Sequence, residues 1–562
     1  MGNHAFEQVE RGASFLDSLA APQFDNQAGN IPDMAATEAE TSDDAPEDEK
    51  KQPSQASLLV AFVEERSNLF HDQNGDVFAQ DFETKETRRI DGRQFKDWLT
   101  AGFYTATGKS PRDQSMREAV STLSGLGRHK GECRDVSVRV ALADGVYYLD
   151  LGEDGKSRAV RISPGLWEIV TTPPAMFVRP ESMRPLPAPV GGGSIARLWE
   201  YVNIPADSRL LVLAWMAECL RPDTPFPILE LMGEAGSAKS TTQTVIRRML
   251  DPNACDLRAA PKSAEDMFVA AGVSWLVSYE NISHLPAPMQ DALCVLATGG
   301  GFAKRKLYSD ADESVITVKR PVVLNGISVA VTAQDLVDRA VTVELPTITA
   351  RAEVTDIWRK FDADHGRLVG AFLDVVVGAL EILPSIHLPP ADRPRLAEFA
   401  RLGMAVAQAT GQDPAAFLDQ FKASRMEAIG RTIDASPVAT AIIEWLERNP
   451  AGRTDSAKNL MQAMIRPANC EAWPHSPKGF ADAMRRAAPA LRQMGIECRS
   501  KGKVGSSVQW EIKPRINSSN PCRASRDVVQ NDGKDPIQHD MTTCTTSFPG
   551  VSSAGAYTEV DV

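Results

Sequence analysis

The residues best suited to chemistry lie in a short run from Gly233 to Thr241, GEAGSAKST. An apolar segment, Ile228–Met232, leads into this run, and apolar residues at helical spacing follow it as far as Leu250. A strand, a glycine-rich loop and a helix in this order are the setting that a phosphate-binding loop requires. The pattern therefore predicts a nucleotide site.

Each part of this loop has an expected role. The two glycines free the backbone to aim its N–H groups at phosphate oxygens. Lys239 is expected to reach the β- and γ-phosphates, and the Ser240 hydroxyl to complete a Mg²⁺ shell, so ATP and Mg²⁺ are the predicted cofactors. Ala238 stands where the usual pattern has its last glycine, and an alanine fits there if its φ is negative. The predicted nucleotide-binding residues are Gly233, Glu234, Ala235, Gly236, Ser237, Ala238, Lys239, Ser240 and Thr241.

Downstream segments supply candidates for the rest of a nucleotide site. The apolar segment GVSWLVSY ends at Glu280, which is the candidate carboxylate for Mg²⁺, with a solvated strand end as the alternative. Asn281 follows, and its amide can orient a water but cannot take its proton. Asn325, after the apolar segment PVVL, is expected to contact the γ-phosphate and the attacking water. Arg339 is the candidate arginine finger acting on a neighbouring subunit, with a salt bridge to Asp335 or Asp338 as the alternative.

Composition sets wider limits. The 562 residues carry a net charge of −13, and the acids are unevenly distributed, with a dense group between residues 33 and 49. The eight cysteines are scattered singly without a C-x-x-C pair, which fits a reducing cytosol and excludes an obvious zinc knuckle. The sequence shows no apolar run of the roughly 20 residues that a membrane span needs, and no secretory signal. A cytoplasmic protein without a membrane partner is expected.

The chain divides by composition into five segments. Residues 1–55 and 515–562 are polar and expected to be disordered. Residues 56–190 alternate helical and strand patterns and predict an α+β accessory domain, and the Pro/Gly-rich linker 180–193 overlaps its end. Residues 194–425 predict an α/β P-loop ATPase core with a helical lead-in and lid, and residues 435–514 a winged-helix module.

The ordered motifs of the central segment resemble those of a known family. GEAGSAKST, the strand ending YENIS, residues 299–307, RPVVLNGI and DLVDRAVTVELP are similar to the motifs of P-loop ATPases of phages and integrative elements. Those proteins are related to the superfamily 3 helicases of the AAA+ class and to primase-helicases. The resemblance implies an AAA+-like core and a homo-oligomeric ring that translocates on single-stranded or forked DNA. Ala238 and Asn281 depart from the family pattern, and no primase catalytic motif is evident upstream.

A basic hairpin is the strongest candidate for DNA contact. Glycines 299–301 precede one basic strand, an acidic turn and a second basic strand. The resemblance implies that a hairpin here lines the central channel of the ring, where basic residues bind phosphates without sequence readout. A solvated hairpin without a ligand is the alternative. The candidate DNA contacts are Lys304, Arg305, Lys306, Lys319 and Arg320.

The winged-helix pattern offers a second basic surface. Three helical segments are followed by two strands around the turn KGKVG, and Lys478, Arg485, Arg486 and Arg492 lie on or near the third helix. Such modules also bind proteins, so both kinds of partner stay open.

Three functions fit these residues. The first is an ATP-driven DNA helicase or translocase acting in replication or transfer of a mobile element. The second is a DNA-independent nucleotide switch that uses the same loop, and the third is a P-loop small-molecule kinase. The kinase is disfavoured because Asn325 and Arg339 belong to ring ATPases and no acceptor site is apparent. DNA-stimulated ATP hydrolysis separates the first two.

Overall fold

The computed structural model describes residues 53–305, 313–328, 330–349, 353–390, 393–467, 473–505 and 507–515, with a mixed α/β architecture. The predicted disordered segments 1–55 and 515–562 therefore fall almost entirely outside the described residues, and so does Lys306. The described residues up to Pro514 form one compact unit.

Residues 55–133 form a small α+β layer with its own core. Three helices cover a sheet of order β3-β2-β1-β4, in which only the β1–β4 pair is parallel. Buried Leu59, Phe95 and Leu123 represent a core that is separate from the others. The elements are α1 (Gln55–Arg66), β1 (Ser67–His71), β2 (Val77–Asp81), β3 (Thr87–Arg89), α2 (Arg93–Thr107), α3 (Asp113–Lys130) and β4 (Glu132–Cys133).

The following strands belong physically to the central region. An antiparallel meander of order β6-β7-β8-β9 buries Leu149 and Val160 in the same cluster as Trp215 and Phe372. The segment predicted as one accessory domain, residues 56–190, thus contains two layers with different cores. The strands are β5 (Val136–Ser137), β6 (Val140–Ala143), β7 (Val146–Asp150), β8 (Ala159–Ser163), β9 (Leu166–Val170) and β10 (Met176–Phe177).

The Pro/Gly-rich segment 180–193 is packed against its neighbours. Its backbone at Leu186 donates to Leu151 O, and Val190 donates to Gly366 O, both at 2.9 Å. A Cβ on Gly370 would lie 2.0 Å from Val190 O, so only glycine admits this close approach. Residues 180–193, called the strap below, therefore join the meander to the helix that carries Gly366 and Gly370.

The central region is built on four parallel strands of order β12-β15-β11-β16. One face of the sheet packs in the cluster shared with the meander, and the other face in a cluster shared with the C-terminal residues. The elements are two 3-10 turns (Ile195–Glu200, Ala206–Ser208), α4 (Arg209–Glu218), β11 (Ile228–Met232), α5 (Lys239–Leu250), α6 (Ala264–Gly272), β12 (Val277–Tyr279), α7 (Ala287–Thr298), β13 (Gly300–Arg305), β14 (Glu313–Val318), β15 (Val322–Gly326), α8 (Gln334–Val337) and β16 (Ala340–Glu344).

A helical layer follows the sheet, as the periodicity of residues 357–421 predicts. It consists of α9 (Val354–Ile382), a 3-10 turn (Leu383–Ser385), α10 (Ala397–Ala409) and α11 (Pro414–Asp434). Within the described part of the chain, the segment Val354–Ser385 is the one helix long and apolar enough to cross a membrane, with a mean hydropathy of 1.8. Because 61% of its most apolar 18-residue window is buried inside the protein and it packs on α10 and the meander, it fits the description of a core helix.

The C-terminal region combines helices with a three-stranded antiparallel sheet of order β17-β19-β18. Phe480, Met484 and Leu491 bury one face of its long helix, and the core also includes Trp510. The elements are α12 (Pro437–Arg448), β17 (Arg453–Ser456), α13 (Ala457–Ala463), α14 (Pro477–Gln493), β18 (Ile496–Val504) and β19 (Ser507–Pro514).

Candidate functional site

Strand order gathers the candidate site at one edge of the parallel sheet. β15 lies between β11 and β12, so that Asn325 stands between the glycine-rich loop after β11 and Glu280 after β12. In a parallel sheet the carboxyl ends of the strands meet at the same edge, where ligands bind in open α/β folds. The predicted site residues from Gly233 to Asn325, up to 92 positions apart in sequence, therefore share one edge.

The loop needs glycine where it approaches other backbone. Gly233 has φ +152°, and a Cβ there would lie 2.6 Å from Leu345 O and 2.7 Å from Ser237 Oγ. Gly236 adopts φ +88°. Ala238 has φ +53° at the start of α5, so the negative φ that would favour alanine is not what the structure contains. A left-handed alanine carries a strain of about 1–2 kcal/mol, and this strain lies directly before Lys239.

Lys239 is buried beneath this loop. Its Nζ donates to Gly233 O at 2.8 Å and to Glu234 O at 2.7 Å, with Ser237 Oγ at 3.3 Å. Desolvation lowers the pKa of the ammonium. The ammonium group is thus held at the loop, in position to exchange carbonyl partners for a phosphate oxygen.

Ser240 and Glu280 come together although 40 residues separate them. The Ser240 hydroxyl donates to Glu280 Oε2 at 3.4 Å. Among the described residues, Glu280 forms no ion pair, so its charge is not neutralised by a neighbouring cation. One hydroxyl and one carboxylate, with phosphate and water oxygens completing the shell, suit Mg²⁺, which usually takes only one or two protein ligands.

Asn325 is buried and interacts with the residue after the acid. Asn325 Oδ1 accepts from Asn281 N at 3.0 Å, and the backbone N–H of Ile282 donates to Asn325 O at 2.8 Å. Asn281 has φ +56°, a conformation that asparagine tolerates better than most residues. The Asn281 side chain is exposed and can contact a ligand or a water, whereas Asn325 is 1% exposed and its amide is bonded to Asn281 N and Gln243 Oε1.

Three polar side chains at this edge were not predicted from the sequence. Asn203 Nδ2 donates to Ser237 O at 3.0 Å and to Pro346 O at 2.6 Å, which fixes the loop from outside. Arg431 of α11 places one nitrogen 3.0 Å from Glu344 Oε2 and another 3.9 Å from Met232 Sδ, beside the last residues of two strands. Gln243 on α5 is fully buried. A polar residue on the apolar face of a helix was the available signal for Gln243.

The segment between Asn325 and Arg339 is fixed at four consecutive backbone N–H groups. Glu230 Oε1 accepts from residues 330 and 331 at 2.9 and 3.1 Å, and Gln290 Oε1 accepts from residues 332 and 333 at 2.9 and 2.6 Å. Burial raises the pKa of Glu230. These bonds attach the segment before the short helix α8 to the middle of β11 and to α7.

Arg339 lies at the opposite edge of the sheet. It precedes β16, whose register pairs Ala340 with Ile228 and Glu344 with Met232. At about 3.3 Å per residue, five residues of strand separate Arg339 from this chain's own loop by about 16 Å. Arg339 Nη1 donates to the backbone carbonyl of Asp335, at 3.0 Å, and to the carboxylate of the same residue. The salt bridge expected as the alternative role is therefore present.

Asp335 is shared between two arginines. Arg395 Nη1 lies 2.7 Å from Asp335 Oδ1. Partial burial acts to raise the pKa of Asp335, but hydrogen bonds from Arg339 and Cys294 and the two arginine charges lower it overall. Arg339 has 14% of its side chain exposed. To act on a neighbouring subunit it must exchange Asp335 for phosphate.

The basic hairpin is present, but the two basic residues that follow its second strand, Lys319 and Arg320, pack against the protein. β13 and β14 pair in antiparallel register, with Lys304 opposite Ser314 and Arg305 opposite Glu313. Arg320 donates to Ala271 O and Ser274 O at 2.9 and 3.1 Å and lies over Trp275, and burial lowers its pKa to about 10. Lys319 lies over Phe226, and burial lowers its pKa. Arg320 as a DNA contact is thus disfavoured by the structure, because its guanidinium is committed to the protein.

The C-terminal helix α14 carries basic residues on its outer face. Lys478, Arg485 and Arg486 are exposed, whereas Arg492 is half-buried. Arg485 pairs with Asp482 at 2.6 Å and lies 5.8 Å from the Trp510 ring centroid. Because the opposite face of α14 is buried in the core, Lys478 and Arg486 face outward, whereas Arg485 is already paired with Asp482.

Two family models match the chain. Residues 194–427 match the replication protein of actinomycete integrative conjugative elements, and residues 438–525 match the C-terminal domain of the same RepA proteins. Together the matches cover more than half of the sequence. No curated protein matches the chain.

Among solved structures, the similar ones include the C-terminal region of NrS-1 in apo form. One such structure has 10% sequence identity, covers 82% of this chain and 99% of its own, and gives a TM-score of 0.36. A second has the same identity and coverage of this chain, covers 98% of its own chain, and gives a TM-score of 0.37.

Proposed function

The chain belongs, over residues 194–427 and 438–525, to the RepA replication proteins of actinomycete integrative conjugative elements, and we propose that it binds and hydrolyses ATP to move on DNA. The proposed core is an AAA+-like P-loop fold, and the C-terminal region is proposed to be a winged-helix module. The observation that carries this proposal is the meeting of Lys239, Ser240 and Glu280 at one edge of the sheet.

ATP fits the proposed chemistry of this edge. A glycine-rich loop followed by the start of a helix offers backbone N–H groups to phosphate oxygens, and Lys239 adds the positive charge that phosphoryl transfer needs. Mg²⁺ held by Ser240 and Glu280 would neutralise charge on the β- and γ-phosphates. Asn325 and Asn281 would orient the attacking water through their amides. Within the described residues of this edge, Glu280 is the acid placed beside the Ser240 hydroxyl.

DNA is the polymer along which the protein is proposed to move. The hairpin β13–β14 projects from the segment between the acid and β15, and Lys304, Arg305 and Lys306 are proposed to contact phosphates. Lys478, Arg485 and Arg486 on α14 offer a second basic surface. A homo-oligomeric ring would place Arg339 of one subunit beside the nucleotide of the next, which a closed heterologous assembly permits.

A nucleotide switch without translocation is the second candidate. Asn281 stands where a second acid would polarise water, and Arg339 is paired with Asp335. Both features favour slow hydrolysis. The DNA-independent switch would bind ATP through the same residues and would use the nucleotide state to control partner binding.

DNA-stimulated ATP hydrolysis tests the proposal and separates the two candidates. Purified protein is assayed for phosphate release with no DNA, with single-stranded DNA and with forked DNA, beside Lys239→Ala as the background control. A motor should be stimulated by DNA. Hydrolysis that is unchanged by either DNA favours the switch, and hydrolysis equal to that of Lys239→Ala refutes the ATPase proposal.

A further inference from the structure

Gln243 occupies a central position behind the candidate metal ligands. It lies on α5 one turn after Ser240, and its side chain is fully buried. Its Nε2 donates to Ser278 Oγ at 2.8 Å and to Tyr279 O at 3.0 Å, with Val323 O at 3.4 Å. Its Oε1 accepts from Asn325 Nδ2 at 2.6 Å. Because both ends of the amide are bonded, burial is compensated and the orientation of the amide is fixed.

These bonds hold the acid-bearing turn from both sides. On one side, Gln243 binds the carbonyl of Tyr279, the residue directly before Glu280. On the other side, it holds Asn325, whose Oδ1 accepts from the backbone of Asn281, the residue directly after Glu280. Gln243 therefore links α5 to both neighbours of Glu280, beside the bond that Glu280 N donates to Arg258 O at 2.8 Å.

Gln243 and Ser240 share a face of α5, since residues three apart on a helix are neighbours. The link from Gln243 to both neighbours of Glu280 thus holds the backbone of Glu280 near the face of α5 that carries Ser240, where Ser240 Oγ lies 3.4 Å from Glu280 Oε2. Groups that hold metal ligands in place commonly change metal affinity by about 10–100-fold when they are removed.

We propose that Gln243 is the positioning residue of the Mg²⁺ site, which it builds by holding Glu280 at the distance from Ser240 that one cation requires. The proposal rests on the proposed function, because that function assigns Ser240 and Glu280 to Mg²⁺. Gln243 itself touches neither the metal nor the nucleotide. Its removal should weaken metal binding and leave the contact of Lys239 with phosphate intact.

The test compares Gln243→Leu with Gln290→Leu. Gln290 is also buried and also binds backbone groups, but its partners are residues 285, 332 and 333 and not the neighbours of Glu280. Both variants lose a buried amide, so both lose stability. Only Gln243→Leu should raise the half-saturating Mg²⁺ concentration for hydrolysis, by about 10–100-fold. ATP affinity measured in EDTA should change by less than about 3-fold, because no contact with phosphate is removed.

A second readout does not require turnover. Mn²⁺ is titrated into each protein with ADP present, and free Mn²⁺ is followed by electron paramagnetic resonance. Gln243→Leu should bind Mn²⁺ more weakly by a factor similar to its Mg²⁺ shift, and Gln290→Leu should match the wild type. Equal Mn²⁺ affinity in all three proteins would overturn the role of Gln243. If the wild type does not hydrolyse ATP, the proposed function fails on that result, and the Mn²⁺ titration still decides the positioning role.

Gln243→Glu keeps the inference testable if the leucine variant does not fold. Its carboxylate can still accept from Asn325 Nδ2 but cannot donate to Tyr279 O, so it breaks one side of the link. A weaker Mn²⁺ affinity in the folded glutamate variant supports the positioning role. Wild-type affinity in that variant overturns it, because the bond to Tyr279 O would then be irrelevant to the site.

Discussion

The two edges of the parallel sheet differ in how their candidate catalytic charges are paired. At the carboxyl edge, Lys239 is bonded to backbone carbonyls and Glu280 to a hydroxyl, and neither pairs with an opposite charge among the described residues. At the amino edge, Arg339 is paired with Asp335, and Asp338 accepts from Arg425 at 2.6 Å.

This contrast shows which edge can receive a charged ligand within a single chain. The carboxyl edge keeps an unneutralised cation and an unneutralised anion close to a glycine-rich loop, as a Mg²⁺–phosphate ligand requires. The amino edge is already neutralised by its own carboxylates. Arg339 can contribute to chemistry only if another subunit offers phosphate oxygens that compete with Asp335.

Removal of the cation should have the largest effect at the carboxyl edge. Lys239→Ala deletes the charge that would meet the phosphates, and hydrolysis should fall by at least about 10³-fold while the fold survives. Lys360→Ala removes an exposed lysine from α9 and is the matched control. Phosphate release and ATP binding are measured for both, and undiminished turnover by folded Lys239→Ala would exclude this edge as the active site.

Removal of the arginine at the amino edge tests whether that edge contributes at all. If Arg339 is an arginine finger, Arg339→Ala should bind ATP with wild-type affinity but hydrolyse it about 10³-fold more slowly, which is the effect of losing an arginine finger in P-loop enzymes. Arg395→Ala breaks the other bridge to Asp335 and should hydrolyse ATP like the wild type. If the two variants have equal rates, Arg339 serves only the salt bridge.

Glu280→Gln sharpens the description of the carboxyl edge. The amide keeps the shape of the acid but loses the charge that would hold Mg²⁺, a contribution of several kcal/mol, or about 10²–10³-fold in rate. ATP affinity should change far less, because the loop and Lys239 still bind phosphate. Wild-type hydrolysis by Glu280→Gln would show that a different carboxylate holds the metal.

Ala238→Gly has the smallest expected effect. Glycine relieves the left-handed φ of +53°, but it also increases the entropy of the unfolded chain. The net gain is about 0–1 kcal/mol, seen as a rise in Tm of roughly 1–2 °C. Ala235→Gly, at a residue of the same loop without positive φ, should lower the Tm by a similar amount. A fall in Tm for Ala238→Gly would mean that the strain is absent.

The sequence predicted the individual strands, loop and helix of the carboxyl edge better than the order of the strands and the side-chain bonds between them. Local patterns were sufficient for the strand, loop and helix around Lys239 and for the strands that end at Glu280 and Asn325, because each is encoded by neighbouring residues. The order of the strands depends on long-range pairing. The sequence therefore did not reveal that β15 separates β11 from β12, or that Gln243 links them.

Burial explains the other differences. Arg320 follows a basic strand and reads as a surface residue, yet its acceptors, Ala271 O and Ser274 O, lie 46–49 residues earlier. The strap 180–193 reads as a linker because it is rich in proline and glycine, but Val190 packs on Gly370 of a distant helix. In both cases the deciding contact is remote in sequence and has no local signature.

Hydrolysis by mixtures of Arg339→Ala and Lys239→Ala tests most directly whether the two edges cooperate across subunits. Each variant alone should be nearly inactive. In a ring, mixed interfaces pair an intact loop from one subunit with an intact Arg339 from the next, so the mixture should hydrolyse ATP faster than the sum of its parts. A mixture that is no faster than that sum, together with a wild-type monomer whose specific rate does not depend on protein concentration, would contradict a shared active site.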